Sequence, residues 1–426
     1  MGYDVIILGV GLAGLMAADA AQSQGAKVLV LAKGLGTLPL TTGCIDGLGY
    51  YPLDSPTPLS SPLAALSQLM EGNPDHPYAK VGRSELLSAF DHFQELSRRA
   101  GIHYSGQLTS NYLLPTPLGT FHPTCLVPET MKKGDLSLSA PVLLLGFEGL
   151  KDFSPFLAAE NFNLCQTQGK IAPTFRAAIL KGLDLGGKTI NGLTLAEAFD
   201  QKDFRGRLIE LAKPLLKPGE RLGLPAVLGL QNSEEVQRDL EENLKTDVFE
   251  VPLPPPSVSG IRLFNRLKAH LQTKGVRIFI GLTVLQPVIE ARRIVGFALG
   301  DSMRSPVYRA KSFVLATGKF VGGGLDSDRK RIYETLLDLP VQAPTDRRNW
   351  FRHSLISAEG QPFNLFGVEV DKNLQPIDQG KIVYENLFAA GGIIAHADSM
   401  SEKSGGGIAI ATGYSAGKRA AVLAAP

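Results

Sequence analysis

The stretch Val5-Ile6-Ile7-Leu8-Gly9-Val10-Gly11-Leu12-Ala13-Gly14 decides how this chain is read. Four apolar residues form a short buried run, and three glycines follow at the spacing G-x-G-x-x-G. Gly9 allows a tight turn, Gly11 lets a pyrophosphate approach the backbone, and Gly14 lets the next helix pack closely on the sheet. That helix is expected from Leu12 to about Gln24, is rich in alanine, and stops at Gly25. A second apolar run, Lys27-Val28-Leu29-Val30-Leu31, follows at once. Strand, turn, helix and strand in so few residues make a βαβ unit whose helix N-terminus, at Leu12, Ala13 and Gly14, suits a dinucleotide.

Composition narrows the possibilities. In 426 residues, 44% hydrophobic and 20% charged, the chain is globular and long enough for two domains. A net charge of +2 leaves no basic tail or stripe, which argues against nucleic acid as a partner. The N-terminus enters a strand without a charged leader or cleavage site, so no secretory signal is expected. No apolar run reaches the roughly 20 residues that a membrane-spanning helix needs. Cys44, Cys125 and Cys165 stand far apart, so no metal or iron–sulfur ligand set is expected from this chain. Reduced thiols in a cytoplasmic protein are the simpler reading.

The second strand ends Leu31-Ala32-Lys33-Gly34, where a nicotinamide-binding unit usually carries an acid for the ribose hydroxyls. The departure argues against NAD and leaves a flavin open. A small residue followed by Lys33 resembles the fumarate reductase-like and aspartate oxidase-like flavoproteins. The loop Thr41-Thr42-Gly43-Cys44 could bring amides and hydroxyls onto a phosphate or an isoalloxazine edge. Asn73-Pro74-Asp75-His76-Pro77-Tyr78 reads as a fixed loop with His76 at the surface. Apolar spacing predicts a helix over Ser84–Ala100, strands at Val142–Gly146 and Pro225–Gly229, a helix over Ser233–Lys245 and a strand at Val248–Val251. Prolines at 254–256 and serines at 257 and 259 lead into a further helix that ends at Gly275, followed by a strand at Val276–Ile280.

Two more strand ends carry glycine. Phe313-Val314-Leu315 runs into Ala316-Thr317-Gly318, and Leu387-Phe388-Ala389-Ala390 into Gly391-Gly392. Gly405-Gly406-Gly407 then opens a C-terminal helix, whose first amides suit the pyrimidine ring of a flavin, where negative charge gathers on reduction. The fold expected is α/β: a two-dinucleotide-binding, Rossmann-like flavoprotein fold with an inserted α/β cap or substrate domain. Flavin-binding segments are expected at 1–50, 255–330 and 363–426, the inserted region at 51–254 and a charged insertion at 331–362.

Several stretches make the resemblance more specific. His76-Pro77-Tyr78, Thr116-Pro117-Leu118-Gly119-Thr120, Pro255-Pro256-Ser257-Val258, Gly260-Ile261-Arg262-Leu263, Gly322-Gly323-Gly324-Leu325, Phe366-Gly367-Val368, Glu385-Asn386-Leu387-Phe388-Ala389 and Gly405-Gly406-Gly407 span nearly the whole chain. Together they resemble the B-subunit family of anaerobic glycerol-3-phosphate dehydrogenases. The resemblance implies a larger FAD-bearing A subunit, and an iron–sulfur C subunit that holds the complex at the inner face of the cell membrane. It implies oxidation of sn-glycerol 3-phosphate to dihydroxyacetone phosphate, with electrons passed towards quinone. It also implies FMN, whereas the pyrophosphate-type glycine turn favours FAD; either would be bound non-covalently.

Oxidation of a secondary alcohol needs a base for the hydroxyl proton, and a phosphate ester needs cationic anchors. His396 and Asp398 are the candidate bases, with His353 a weaker choice; Arg262, Lys319 and Lys403 are the candidate anchors, with Arg352 beside them. Two roles stay open: a chain that oxidises substrate itself, or a flavin carrier that relays electrons and supports its partners. A flavin oxidoreductase for another small hydroxy or carboxylate substrate is a further alternative.

Overall fold

A computed structural model describes residues 2–183, 185–282, 285–300, 306–354, 357 and 359–425. The chain forms two compact units: Met1–Thr37, Asp46–Gly101 and Arg266–Pro426 in the first, Leu38–Ile45 and Ile102–Asn265 in the second. Residues 51–101 thus fold with the first unit, although their sequence position suggested the inserted region.

The first unit is built on a mixed sheet. Its labelled elements are β1 (Gly2–Leu8), α1 (Leu12–Ser23), β2 (Val28–Ala32), α2 (Arg83–Arg99), β3 (Arg277–Ile280), β4 (Leu285–Glu290), β5 (Arg293–Leu299), β6 (Val307–Leu315), β7 (Leu387–Ala389) and α3 (Gly405–Ala424). Among the described residues the strand order is β3-β2-β1-β6-β5-β4, with β7 also on β6. The pairs β3–β2, β2–β1, β1–β6 and β6–β7 are parallel; β6–β5 and β5–β4 are antiparallel. The long strand β6 takes β5 along its first half and β7 along its last residues.

Burial on both faces explains the unbroken apolar runs in β1 and β2. Leu8 pairs with Leu315 and Leu315 with Ala389, so three strands end at one level of the sheet. Gly9, Ala316 and Ala390 continue this alignment: the Gly9 amide donates to the Leu31 carbonyl, that of Ala316 to Leu8, and that of Ala390 to Leu315, each at 2.8 Å. Helix α2 joins the same body, because Arg419 of α3 pairs with Glu85 at 2.9 Å and His92 pairs with the buried Asp19 of α1 at 2.7 Å.

The second unit carries a parallel sheet in the order Val248–Val251, Arg221–Pro225, Val142–Phe147, Phe175–Leu180. Helices such as Pro155–Thr167 and Ser233–Leu244 cover it, and Phe162, Phe199, Leu222 and Leu240 lie in its core. The strand expected at Pro225–Gly229 lies earlier, at Arg221–Pro225. Proline at 225 supplies no amide to extend the ladder, and Gly229 takes a φ of 83°.

Candidate functional site

Three glycine-rich turns meet where β1, β6 and β7 end together. Gly9 adopts a φ of 118°, and any Cβ there would strike the carbonyl of Ala316. Ala316 in turn stands at 3.6 Å from where a Gly14 Cβ would lie. A Cβ on Gly391 would come within 2.6 Å of Ala13 Cβ, and one on Gly392 within 4.0 Å of Gly318 Cα. The structure therefore brings together Gly9, Leu12, Ala13, Gly14, Ala316, Thr317, Gly318, Gly391 and Gly392.

Gly11 differs from these crowded positions. Its backbone is extended, with φ −66° and ψ 179°, and a Cβ would meet nothing within 4 Å. It caps α1 without a side chain, so the first amides of that helix have no side-chain partner there. Thr317 Oγ1 is buried and has no hydrogen-bond partner among the described residues. Open space over Gly11, uncapped helix amides and an orphaned buried hydroxyl suit an anionic, hydrogen-bonding cofactor such as the expected flavin. Lys33 lies just past the end of β2 and is exposed.

The start of α3 is held from below. The Gly407 amide donates to the Asp46 carbonyl at 2.8 Å, and the Tyr78 hydroxyl donates to the carbonyls of Gly47 at 2.5 Å and Ser404 at 3.4 Å. Gly405 is exposed, Gly406 half-buried, and Ser404 offers this helix no side-chain cap.

His76 corrects the surface reading of its loop, for it is fully buried. Its Nδ1 accepts the Tyr78 amide at 3.1 Å, capping the short helix Pro77–Val81, and its Nε2 lies 3.2 Å from Glu402 Oε2. Ser404 Oγ donates to the same oxygen at 2.6 Å, and the Asp398 amide donates to Glu402 Oε1 at 3.2 Å. Burial alone would raise the Glu402 carboxyl, but His76, Ser404 and the Asp398 amide leave it below its ordinary value. Sequence reading missed Glu402 and Ser404; the only signal was a Ser just ahead of three glycines.

The candidate bases and anchors fall into different settings. Asp398 is buried and accepts three hydrogen bonds: Oδ1 from Asn364 Nδ2 at 2.9 Å and the Ser401 amide at 3.1 Å, and Oδ2 from Ser401 Oγ at 2.8 Å. These bonds cap the helix Ser399–Glu402, a structural task for a residue expected as a base. His396 has a φ of 70° and places Nε2 at 3.3 Å from Glu369, while its carbonyl accepts from Asn73 Nδ2 at 2.9 Å. Lys319 directs Nζ to the carbonyls of Asn364 and, at 3.5 Å, Ala397. Burial lowers the Lys319 ammonium to about 8, opposed by the charges of Asp398 and Glu402. Lys403 ends the short helix in a left-handed conformation, with φ 53°. His353 is exposed, and Arg352 pairs with Glu359 at 2.6 Å.

Arg262 is a second correction. Its guanidinium is buried in the second unit, where it donates to Glu250 at 2.7 and 2.8 Å and to the Gly229 carbonyl at 2.5 Å. A side chain so engaged is not an open phosphate anchor. Thr41, Thr42 and Gly43 also belong to the second unit: Thr41 Oγ1 donates to the Leu38 carbonyl, Thr42 Oγ1 accepts the Cys44 amide, and the Gly43 carbonyl accepts Tyr104. Among the described residues, no cluster of three or more His, Cys, Asp or Glu could hold a metal ion, and no helix is long and apolar enough to cross a membrane.

Comparison with known proteins adds independent information. A family model described as an FAD binding domain matches residues 4–408. A probable B subunit of an anaerobic glycerol-3-phosphate dehydrogenase from Halobacterium salinarum is 34% identical over 435 residues, spanning 98% of this chain and 97% of that one. The B subunit of the anaerobic glycerol-3-phosphate dehydrogenase of Vibrio cholerae is 30% identical over 427 residues, spanning 98% of this chain and 96% of that one. Among solved structures, the open conformation of a flavocytochrome c3 fumarate reductase aligns with 100% of this chain and 79% of its own, at 10% identity and a TM-score of 0.43.

Proposed function

Because the chain belongs to the FAD binding domain family, and to that of the anaerobic glycerol-3-phosphate dehydrogenase B subunits, we propose that it is the flavin-holding B subunit of a quinone-linked glycerol-3-phosphate dehydrogenase complex. Non-covalent FAD is the flavin that the family match supports. The complex oxidises sn-glycerol 3-phosphate to dihydroxyacetone phosphate and sends the electrons towards quinone. Its other members are a larger FAD-bearing A subunit and an iron–sulfur C subunit, through which this chain attaches to the inner face of the membrane.

Aligned strand ends at Leu8, Leu315 and Ala389 carry this reading, because they bring three glycine turns to one place. When bound, FAD supplies two-electron acceptance from a substrate and one-electron exchange with other redox centres. The protein's part is to bind and orient. The amides of Leu12, Ala13 and Gly14 would hold the pyrophosphate, Lys33 would serve the adenosine end, and Ala316–Gly318, Gly391–Gly392 and Gly405–Gly407 would line the ring system.

Within the complex we assign this chain electron relay, with substrate oxidation at the partner. Asp398 is engaged in capping a helix and Arg262 internally paired, which leaves few open groups for a base and a phosphate anchor. The second reading, substrate oxidation by this chain, rests on Lys319, His396 and Lys403, and on the Lys319 ammonium titrating near 8. Anaerobic addition of sn-glycerol 3-phosphate separates the two. Relay requires that the flavin band of the isolated, FAD-loaded chain stay unbleached while that of the assembled complex bleaches within turnover time. Rapid bleaching in the isolated chain would favour the second reading.

A further inference from the structure

Resting on the FAD-holding role proposed above, we infer that His76 is a positioning residue: through Glu402 it fixes the turn that starts α3, and the Glu402 charge tunes the flavin's reduction potential. The bridge is short and wholly internal to the first unit. His76 Nε2 meets Glu402 Oε2 at 3.2 Å; that oxygen also accepts Ser404 Oγ at 2.6 Å, and Ser404 is the residue directly ahead of Gly405. Glu402 is tied down at its backbone as well, for its carbonyl accepts the amides of Gly49 at 2.7 Å and Tyr50 at 3.1 Å. His76, Glu402 and Ser404 are all nine-tenths or more buried. Proline at 77 follows the histidine at once, and the Tyr78 amide occupies His76 Nδ1, so the ring is fixed with Nε2 as the donor to Glu402.

A buried bridge of this kind is more than is needed to hold a four-residue helix, because Asp398 already caps the start of Ser399–Glu402. What it adds is a fixed carboxylate beneath the helix start. The N-terminal amides of α3 carry partial positive charge, and a carboxylate beside them offsets part of that field. Reduction of a flavin adds negative charge, so a nearby fixed carboxylate opposes it and holds the potential down. Tyr78 supports the same turn independently, through Gly47 and the Ser404 carbonyl. The bridge can therefore be cut without releasing the whole segment.

Two substitutions separate its tasks. In His76→Asn the side-chain oxygen still caps the Tyr78 amide but is too short to reach Glu402. In Glu402→Gln the shape remains and the charge is removed. Hydrogen exchange of the amides of residues 399–408, followed by mass spectrometry, should accelerate at least tenfold in His76→Asn, with exchange in α1 unchanged. The midpoint potential of bound FAD, measured by dye-coupled reduction, should become more positive in Glu402→Gln. Wild-type exchange in His76→Asn, or an unshifted potential in Glu402→Gln, overturns the inference. A wild-type chain that retains no FAD overturns the cofactor reading itself and the potential-tuning role with it. The exchange measurement then still decides whether His76 holds the turn.

Discussion

Arg262 and Glu250 form a bidentate ion pair inside the second unit, at 2.7 and 2.8 Å, with both side chains buried. Thr130 Oγ1 and the Leu228 amide complete the shell of the carboxylate, at 2.7 and 2.8 Å. A charge pair this deep specifies how Arg262 is seated against Glu250 within the second unit more than it adds net stability.

Removing one partner strands the other. Arg262→Met should destabilise the protein by about 3–5 kcal/mol near neutral pH, read by urea unfolding. The pH dependence has a definite sign. Burial would raise the Glu250 carboxyl, but Arg262, Thr130 and the Leu228 amide hold it below the ordinary 4.5. The pair's contribution is thus complete above about pH 4.5 and is lost as pH falls through the folded-state value. Without Arg262, burial dominates and protonation relieves the stranded charge. The gap between wild type and Arg262→Met should therefore narrow on acidification below pH 4.5, and a constant gap would contradict the assignment.

Gly9 and Gly11 should respond in opposite ways to substitution. Gly9→Ala combines a φ of 118° with a clash on the Ala316 carbonyl, so it should cost stability, on the order of 1–3 kcal/mol or more. Gly11→Val meets open space and an ordinary φ of −66°, so the fold should persist. Its side chain would enter the space assigned to the pyrophosphate. Thermal unfolding of the flavin-free protein near wild type, together with loss of flavin absorbance, is the expected result. A stoichiometrically yellow Gly11→Val protein would refute the role of that loop.

The parts of the site legible in the sequence are those where backbone must approach backbone. Gly9 against Ala316 and Gly391 against Ala13 leave no room for a side chain, so the chemistry of the contact is written in residue type. Periodicity likewise located the helix Ser233–Leu244 closely, because one face of it is buried, whereas α1, buried from Leu12 through Ala21, was legible from its glycine turn and alanine-rich run. His76 was not legible. Its loop is rich in proline and polar residues, and the partner that buries it lies 326 residues away. Arg262 misled for the related reason that nearness in sequence to glycine loops says nothing about the direction of a side chain. Residues 46–101 join the first unit through contacts of α2 with α1 and α3, such as Arg419 to Glu85, which no local pattern announces.

Lys319 offers a test at the alkaline side. Its folded-state value of about 8 lies below the ordinary 10.5, so between these values the folded chain binds fewer protons at this residue than the unfolded chain. Unfolding free energy should rise with pH across that window. Lys319→Met removes the titration while keeping an unbranched stem. Its urea-unfolding free energy should show a shallower slope between pH 8 and pH 10 than wild type. Equal slopes would mean that burial does not depress this ammonium.

Close approach of α1 and α3 links the fingerprint turn to the C-terminal helix, and it supplies a graded prediction. A Cβ on Gly413 would meet the Ala13 carbonyl and come within 3.0 Å of Ala13 Cα; one on Gly417 would meet the Ala17 carbonyl and come within 2.8 Å of Ala17 Cα. The two contacts lie one helical turn apart on both helices, so each alanine substitution should force the axes apart by a similar amount. Overpacking of this kind costs about 1–3 kcal/mol, and both Gly413→Ala and Gly417→Ala should lose that much stability. Their effects on the cofactor should differ. Ala13 is the second residue of α1, beside Gly11 and Gly14, and the Gly391 amide donates to Thr412 Oγ1 at 2.7 Å, directly ahead of Gly413. Displacement at Gly413 therefore moves two of the three glycine turns, whereas displacement at Gly417 acts a turn further from them. Gly413→Ala should weaken FAD binding at least tenfold, measured by fluorescence titration of the flavin-free protein, and Gly417→Ala by much less. Equal loss of affinity in the two variants would show that overall stability, rather than placement of the turns, controls how the flavin is held.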